Sequence, residues 1–303
     1  MNVRQLEQFV AVAETLHFSK AAERLHMTQP PLSQSIIALE KELGQPLFIR
    51  NNRKVQLTGF GEQWLGYVKT ALQNLQELPA IAEKLHNGEY GHLSLTFISY
   101  AGYNILPTLV KDVRQHYPDV GLTLTEATSD DQMEQLTQGK TDIGIVIPHQ
   151  TDDLPSGLMY QKILSESLIA AVPELWLEEG KLPSSPNGLC PEQLIRLPLV
   201  MFPQSASPPF YSLVMRYYAA HGAVPVIAQQ AIQMQTIISL VAAGIGIALV
   251  PASLRQLARQ GVAYLDLADS PPQLEIGFIW RQENSSPVLH NLITLAANID
   301  ITP

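Results

Sequence analysis

Three short helical segments, separated by tight connections, are predicted at the beginning of the chain. Apolar residues at helical spacing mark the first segment, and the second begins at Ser19, whose side chain can cap it. Thr28 can cap the third segment, which ends at Gly44. This segment tolerates Pro30 and Pro31 in its first turn, where N–H groups have no acceptor within the helix. A short helix, a turn and a longer helix in this order are typical of a helix-turn-helix module.

The third segment has an apolar face and a polar face. The apolar face can pack on a core and consists of Leu32, Ile36, Leu39 and Leu43. A recognition helix places its N-terminal side chains in the major groove, where a glutamine can bond adenine through both of its amide atoms. The predicted contacts to bases and phosphates in this segment are Thr28, Gln29, Pro30, Ser33, Gln34 and Ser35.

A strand pair with a basic connection is predicted after this helix. Apolar residues at 47–49 and 55–57 flank the connection, whose cations suit phosphates or the minor groove. The predicted contacts here are Arg50, Arg53 and Lys54. Residues 1–60 hold seven basic and five acidic groups, whereas the rest of the chain holds 12 basic and 23 acidic groups. An acidic body repels a polyanion, so nucleic-acid contacts are expected only in residues 1–60.

From spacing alone, three helices and a hairpin that merely pack together explain these patterns equally well. Several ordered segments favour DNA binding, namely 19–25 (SKAAERL), 28–33 (TQPPLS), 39–40, 42–44, 47–48, Arg50, 57–58 and Gly61. Together they resemble the winged helix-turn-helix of LysR-type transcriptional regulators. The resemblance implies a bacterial protein that binds double-stranded promoter DNA sequence-specifically. Gln34 departs from the pattern, because many family members carry arginine at this position.

A long helix is predicted from a cap at Thr58 to residue 86. The 3, 4, 3 spacing of its apolar residues is typical of a coiled-coil seam formed by Leu65, Val68, Leu72 and Leu75. Pro79 predicts a kink, around which the apolar series shifts by three residues to Leu78, Ala82 and Leu85. A helix that packs along its own chain is the alternative. The family resemblance implies a homodimer through this helix and a tetramer built from dimers.

Strands and helices alternate after a predicted hinge at 87–91. Strands near 93–99, 122–128 and 142–147 enclose two helices, the second of which begins with a capping box at residues 129–132. This βαβαβ pattern predicts a parallel sheet covered by helices. A second α/β unit is predicted from elements at 168–172, 199–202, 211–220, 226–228, 234–243 and 247–250. Strands at 262–267 and 274–280 and a helix at 288–297 are left to complete the first unit.

The predicted fold class is an N-terminal all-α winged helix-turn-helix with a long linker helix, followed by an α/β effector domain. That domain would consist of two Rossmann-like subdomains and resembles periplasmic binding proteins and the LysR effector domain. The predicted boundaries are 1–58 for the DNA-binding domain, 59–86 for the linker helix, 87–91 for the hinge and 92–303 for the effector domain. Subdomain I would span about 92–160 and 267–303, and subdomain II about 161–266.

An effector site is predicted between these subdomains. Ligands of open α/β sheets bind beyond the carboxyl ends of the strands, where Ser99 and Thr128 stand. Apolar walls would come from Phe202, Pro203, Pro208 and Phe210. Ordinary helix capping explains Ser99 and Thr128 equally well from spacing alone. Such a site suits a small carboxylate, aromatic or unsaturated.

The family resemblance extends to the predicted effector site. Family members that respond to aromatic-degradation intermediates such as muconate look similar at Ser99, Thr128, Pro208 and Phe210. This resemblance implies an aromatic or dicarboxylic acid as the effector. Val146 stands where those relatives can carry arginine.

Catalytic, metal-binding and membrane signals are absent from the sequence. The eight histidines show no metal-ligand spacing, and Gly139-Lys140-Thr141 lacks the first glycine of a P-loop. Cys190, the single cysteine, indicates a reducing compartment, and we predict a cytoplasmic protein without cofactor or membrane contact. The predicted function is a ligand-responsive transcriptional regulator. The alternative is an α/β solute-binding protein whose N-terminal module only dimerises, and an enzyme ranks behind both.

Overall fold

The computed structural model describes residues 1–51, 54–148, 154–182, 188–257 and 259–297, with the side chain of Asn51 left out. The chain divides into two compact units, Met1–Glu83 and Lys84–Pro303. None of the described helices combines the length and the apolar composition that crossing a bilayer requires.

The N-terminal unit packs three helices and a hairpin against the start of a long helix. Its elements are α1 (Val3–Thr15), α2 (Phe18–Arg24), α3 (Gln29–Leu43), β1 (Phe48–Asn51), β2 (Lys54–Leu57) and α4 (Gly59–His86). Strands β1 and β2 are antiparallel. The core is aromatic: the ring of Phe9 lies 5.6 Å from that of Phe48 and 4.9 Å from that of Trp64, measured between centroids. Leu32, Ile36 and Leu39 are fully buried, which confirms the apolar face predicted for α3.

Two of the predicted helix caps differ in the structure. The second helix is capped by His17, two residues before the predicted cap at Ser19, and the His17 side chain accepts a bond from the Lys20 N–H. This start buries Phe18 in the core, which a helix beginning at Ser19 would leave in the preceding turn. Thr28 stands at the N-cap of α3 but makes no capping hydrogen bond. The N–H groups that it would accept from belong to the two prolines that follow Gln29, and proline has none.

Helix α4 buries part of the predicted coiled-coil seam within its own unit. Thr58 caps the helix as predicted, accepting a bond of 2.9 Å from the Gly61 N–H. Val68 is only 3% exposed. Trp64, Leu65 and Leu72 pack against the same core. Val68 is therefore covered within the unit, because the three short helices need this face of α4 to close their core. Leu65 and Leu72 are only half-buried, and their part in the seam stays a prediction.

A stripe of α4 that includes Leu75 of the predicted seam is left exposed. It consists of Phe60, Tyr67, Leu75 and Leu78, which are 40%, 77%, 42% and 53% exposed. Helix α4 continues through Pro79 as one element. The kink predicted there stays a prediction.

The first part of the C-terminal unit begins with β3 (Tyr90–Phe97), α5 (Ile105–His116), β4 (Asp119–Glu126), α6 (Ser129–Thr137), β5 (Ile143–Val146) and β6 (Leu158–Pro173). Its second part contains α7 (Glu174–Glu178), α8 (Pro191–Leu194), β7 (Leu199–Met201), α9 (Pro208–Ala220), β8 (Ile227–Gln230), α10 (Met234–Ala242) and β9 (Ala248–Pro251). The chain closes with β10 (Val262–Leu265), β11 (Gln273–Arg281) and α11 (Pro287–Ala297).

A seven-stranded sheet has the order β10-β6-β11-β5-β3-β4, with β9 paired to β6. Strand β3 is parallel to both β4 and β5, which confirms the predicted βαβαβ pattern. Strand β6 pairs first with β11 and later with β9 and β10, so it joins the two parts of the unit. The strand predicted at 262–267 does not complete the first part. Its residues Val262–Leu265 pair with the last four residues of β6 instead.

The segment predicted as a hinge is bound to α11. Tyr90 and Gly91 are already the first two residues of β3. The side-chain amide of Asn291 donates a bond of 2.7 Å to the carbonyl of Asn87. A Cβ added to Gly88, whose φ is +70°, would lie 2.6 Å from the Pro287 carbonyl carbon. The division between the two units therefore falls at Glu83, before this segment.

Candidate functional site

The predicted DNA contacts cluster at the beginning of α3 and on the hairpin. Thr28, Gln29, Pro30 and Gln34 are exposed, and Ser33 is half-buried beside them. Lys54 is exposed on β2. We call these six residues the recognition surface. Arg53 lies outside the described residues.

Four of the predicted contacts have partners within the unit, and one of them is Gln29, whose side-chain oxygen accepts from the Ser19 hydroxyl at 3.3 Å. The Ser35 hydroxyl donates to the Gln8 side chain and is therefore used in packing. Arg50 forms an ion pair of 2.9 Å with Glu40 and donates to the Ser33 hydroxyl at 3.4 Å. Its guanidinium also lies 4.8 Å from the centroid of the Phe18 ring, in a cation–π contact.

Glu40 is the residue that joins these elements. One of its carboxylate oxygens accepts from Arg50 and the other from the N–H groups of Leu47 and Phe48, at 2.9 and 3.1 Å. Arg50 and Glu40 thus hold the hairpin against α3 and orient Ser33. The sequence analysis missed Glu40, because only the fold brings a residue of α3 beside the hairpin.

A cavity of about 360 Å³ opens in the C-terminal unit. Four of the predicted effector residues line it, namely Ser99, Thr128, Phe202 and Phe210. Pro203 and Pro208 do not, which corrects that part of the prediction. Helix α9 begins at Pro208, so Ser207 before it and Phe210 within its first turn reach the cavity instead.

Aromatic and aliphatic side chains form much of the cavity wall. The rings of Phe202 and Phe210 pack edge to face, with centroids 5.4 Å apart and planes at 78°. Both residues are buried. The sequence analysis missed further lining residues that come from several elements, including Ile98, Tyr100, Glu126, Asp131, Ile147, Ile232, Gln233, Met234 and Leu274.

Thr128 caps α6 as well as lining the cavity. Its hydroxyl oxygen accepts from the Asp131 N–H at 3.3 Å and donates to the Asp131 carboxylate at 2.7 Å. The cap therefore stands one residue before the capping box predicted at 129–132. Ser129 is buried and accepts from the Ile147 N–H, and Gln132 donates to two backbone carbonyls. Ser99 begins a short 3-10 helix.

A buried polar network adjoins the cavity. The hydroxyls of Tyr100 and Ser253 are 2.6 Å apart, and Asn104 donates to Tyr100 at the same distance. The Ser253 N–H donates to the Glu166 carboxylate. Glu166 is close to the end of the part of β6 that pairs with β11, and the next part of β6 pairs with β9. Glu166 is 3% exposed. Burial raises the pKa of its carboxyl, although hydrogen bonds from Ser253 oppose the shift.

Replacing Glu166 by glutamine is expected to stabilise the protein at neutral and alkaline pH. The native carboxyl binds its proton more tightly than the unfolded chain does, so the free energy of unfolding falls as pH rises from about 4.3 through the raised pKa. Glutamine does not titrate and removes this loss. Thermal unfolding at pH 5 and pH 8 measures the effect, with exposed Glu178→Gln as the control. A wild-type pH dependence in Glu166→Gln would contradict the prediction.

Comparison with known proteins gives the same two-part organisation. Residues 3–62 match the bacterial regulatory helix-turn-helix protein, lysR family, and residues 86–298 match the LysR substrate binding domain. The chain is 50% identical over its full length, and over the full length of that protein, to the HTH-type transcriptional regulator IlvR of Caulobacter vibrioides. It is 34% identical to the regulator AlsR of Bacillus subtilis, over 98% of this chain and 95% of that protein.

Solved structures of full-length chains are similar as well. The crystal structure of CbnR, a LysR family transcriptional regulator, aligns with a TM-score of 0.77 at 28% identity, covering 98% of this chain and 100% of that one. Full-length CbnR complexed with its target DNA aligns with a TM-score of 0.79 at 27% identity, covering 98% of both chains. The predicted family and fold class are confirmed. The chain belongs to the LysR family of transcriptional regulators, with a DNA-binding helix-turn-helix domain and a ligand-binding α/β domain.

Proposed function

We propose that this regulator binds promoter DNA through its recognition surface and senses a small organic acid in the 360 Å³ cavity. The observation that carries the proposal is the polar, exposed beginning of α3, held against the hairpin by Arg50 and Glu40. Gln29 and Gln34 offer amide groups for base edges, and Ser33 offers a hydroxyl. Lys54, and by its sequence position Arg53, would contact phosphates.

The effector would act by shifting the protein between two arrangements. The cavity is lined by both parts of the C-terminal unit, so a ligand that fits one arrangement better stabilises it. Its aromatic wall supports a small acid with an aromatic or otherwise apolar body. We also propose a homodimer through the exposed stripe of α4, and a tetramer built from such dimers.

Gln29→Ala is expected to weaken binding to the preferred DNA site about tenfold or more, because a bidentate contact to adenine is worth ~1–3 kcal/mol. The preferred site is first selected from random duplexes with the full-length protein. Fluorescence anisotropy then compares the variant with wild type on that site and on an unrelated duplex. The variant should lose preference for the selected site and keep its weak, salt-dependent binding to the unrelated one.

Gln63→Ala is the matched control, since Gln63 is an exposed glutamine of α4 outside the recognition surface. Equal losses in both variants would contradict the assignment of Gln29. If the full-length protein selects no sequence from the pool, the alternative of a solute-binding protein with a dimerising N-terminal module is favoured.

A further inference from the structure

The charged residues that line the cavity are both acidic. Glu126 is the last residue of β4, and Asp131 lies in the first turn of α6. Among the described lining residues there is no lysine, arginine or histidine. The cavity therefore offers two negative charges to a ligand and no cationic side chain from the described part of the chain.

One of the groups that could bind a carboxylate already has a partner, while the Ser207 hydroxyl and the Gln233 amide of the lining can still donate to one. The Thr128 hydroxyl donates its proton to Asp131 at 2.7 Å. The N-terminus of α6, where an anion would be attracted, carries the carboxylate of Asp131. A ligand with two carboxylates would thus meet like charges without a counter-ion, which opposes binding.

Glu126 is placed differently from Asp131. Its side chain is exposed and forms no hydrogen bond or salt bridge with other described residues. A carboxylate in this state can accept from a ligand cation without breaking a contact of the protein. The second part of the unit contributes the apolar side chains of Phe202, Phe210 and Ile232, and beside them Ser207 and Gln233. A ligand that fills the cavity should therefore be cationic at one end and apolar at the other.

We propose that the effector carries an ammonium group, held by Glu126 and Asp131, on a small apolar body. An amino acid with an aliphatic or aromatic side chain has this chemistry, and its carboxylate is balanced by its own ammonium. The inference rests on the proposed function, because it specifies the ligand of the same cavity. It replaces the dicarboxylic acid expected from the sequence with a zwitterionic amino acid.

Isothermal titration of the full-length protein with matched compounds tests the inference. The probes are L-leucine, L-phenylalanine, their deaminated counterparts 4-methylpentanoate and 3-phenylpropanoate, and the dianion cis,cis-muconate. We expect at least one amino acid to bind about tenfold or more tightly than its deaminated counterpart, because a charge-assisted hydrogen bond is lost with the amino group. Muconate should not bind.

Glu126→Gln should weaken binding of that amino acid about tenfold or more and leave binding of the deaminated acid unchanged or stronger. Asp130→Asn is the control, since it makes the same change of charge on the first turn of α6 at a residue outside the cavity lining. If Glu126→Gln binds that amino acid with the same affinity as Asp130→Asn does, the inference is overturned.

Two further outcomes separate this inference from the proposed function. If the acids without an amino group bind best and Ile232→Ala weakens them, the ammonium is wrong while the cavity remains an effector site. Ile232 suits this test because it is 69% exposed and its truncation leaves the core intact. If none of the five compounds binds, the inference is overturned, whereas selection of a DNA sequence still supports the DNA-binding part of the proposed function.

Discussion

Replacing Leu75 and Leu78 together by glutamate is expected to separate the oligomer and to weaken binding to a promoter with two half-sites about a hundredfold or more. Both leucines are about half exposed on α4, although each could pack fully against a partner helix. A dimer of the variant would bury four glutamates, two from each protomer, in the interface. Their like charges would repel one another and oppose association. A separated protomer also loses the high effective concentration that holds the second recognition helix near its half-site.

Analytical ultracentrifugation measures the oligomeric state, and anisotropy on a two-half-site duplex measures the affinity. Asn74→Glu with Gln76→Glu is the matched control, because it adds the same charge to exposed positions flanking Leu75 on α4. Affinity for a single half-site should be unchanged in both variants. A double leucine variant that remains as oligomeric as the control would show that the exposed stripe of α4 is not the interface.

Phe9→Ala is expected to destabilise the N-terminal unit by about 3–5 kcal/mol, the usual cost of removing a buried aromatic ring. Phe9 is fully buried and contacts the rings of Phe48 and Trp64, so its loss opens a cavity between α1, the hairpin and α4. Because domains are stabilised by only about 5–15 kcal/mol, this loss removes a large share of the unit's stability, and DNA binding should be lost at a lower urea concentration than in the wild type.

Urea unfolding followed by circular dichroism and by tryptophan fluorescence checks this prediction. Trp64 reports on the N-terminal unit, and Trp176 and Trp280 report on the C-terminal one. We expect an early transition of the N-terminal unit in the variant and an unchanged later transition. Val3→Ala, a truncation at a 46% exposed position of the same helix, should shift neither transition. If both units unfold in a single early transition in Phe9→Ala, the prediction that the two units have independent cores is wrong.

Local patterns predicted much of the secondary structure and several of the site residues. The apolar spacing of α3 and the stop at Gly44, whose φ is +68°, predicted the recognition helix correctly. Alternating apolar strands and helices predicted the parallel arrangement of β3, β4 and β5. Ser99 and Thr128 were found from their positions at strand ends, because ligand cavities of such sheets lie there.

Other features depended on contacts between distant parts of the chain. The first ten residues of β6 mix polar and apolar side chains, so no strand period marks them, and pairing with β11 sets their conformation. The partner of Arg50 is a glutamate of α3, which sequence position does not indicate. The acidic pair at the cavity comes from β4 and α6, whereas the Phe202 and Phe210 pair comes from the other part of the unit.

Helix α4 shows most directly which properties follow from the sequence and which depend on tertiary packing. Its length and its two series of apolar residues are properties of the sequence, since helix periodicity depends on neighbours within a few positions. Which residues of these series are buried depends on the volume that α1, α2 and α3 leave open, and this volume exists only in the folded unit. The folded unit covers Val68 and exposes Leu75 and Leu78. The sequence therefore determined which elements form, and packing between distant elements determined which of their faces remain free for DNA, effector and partner.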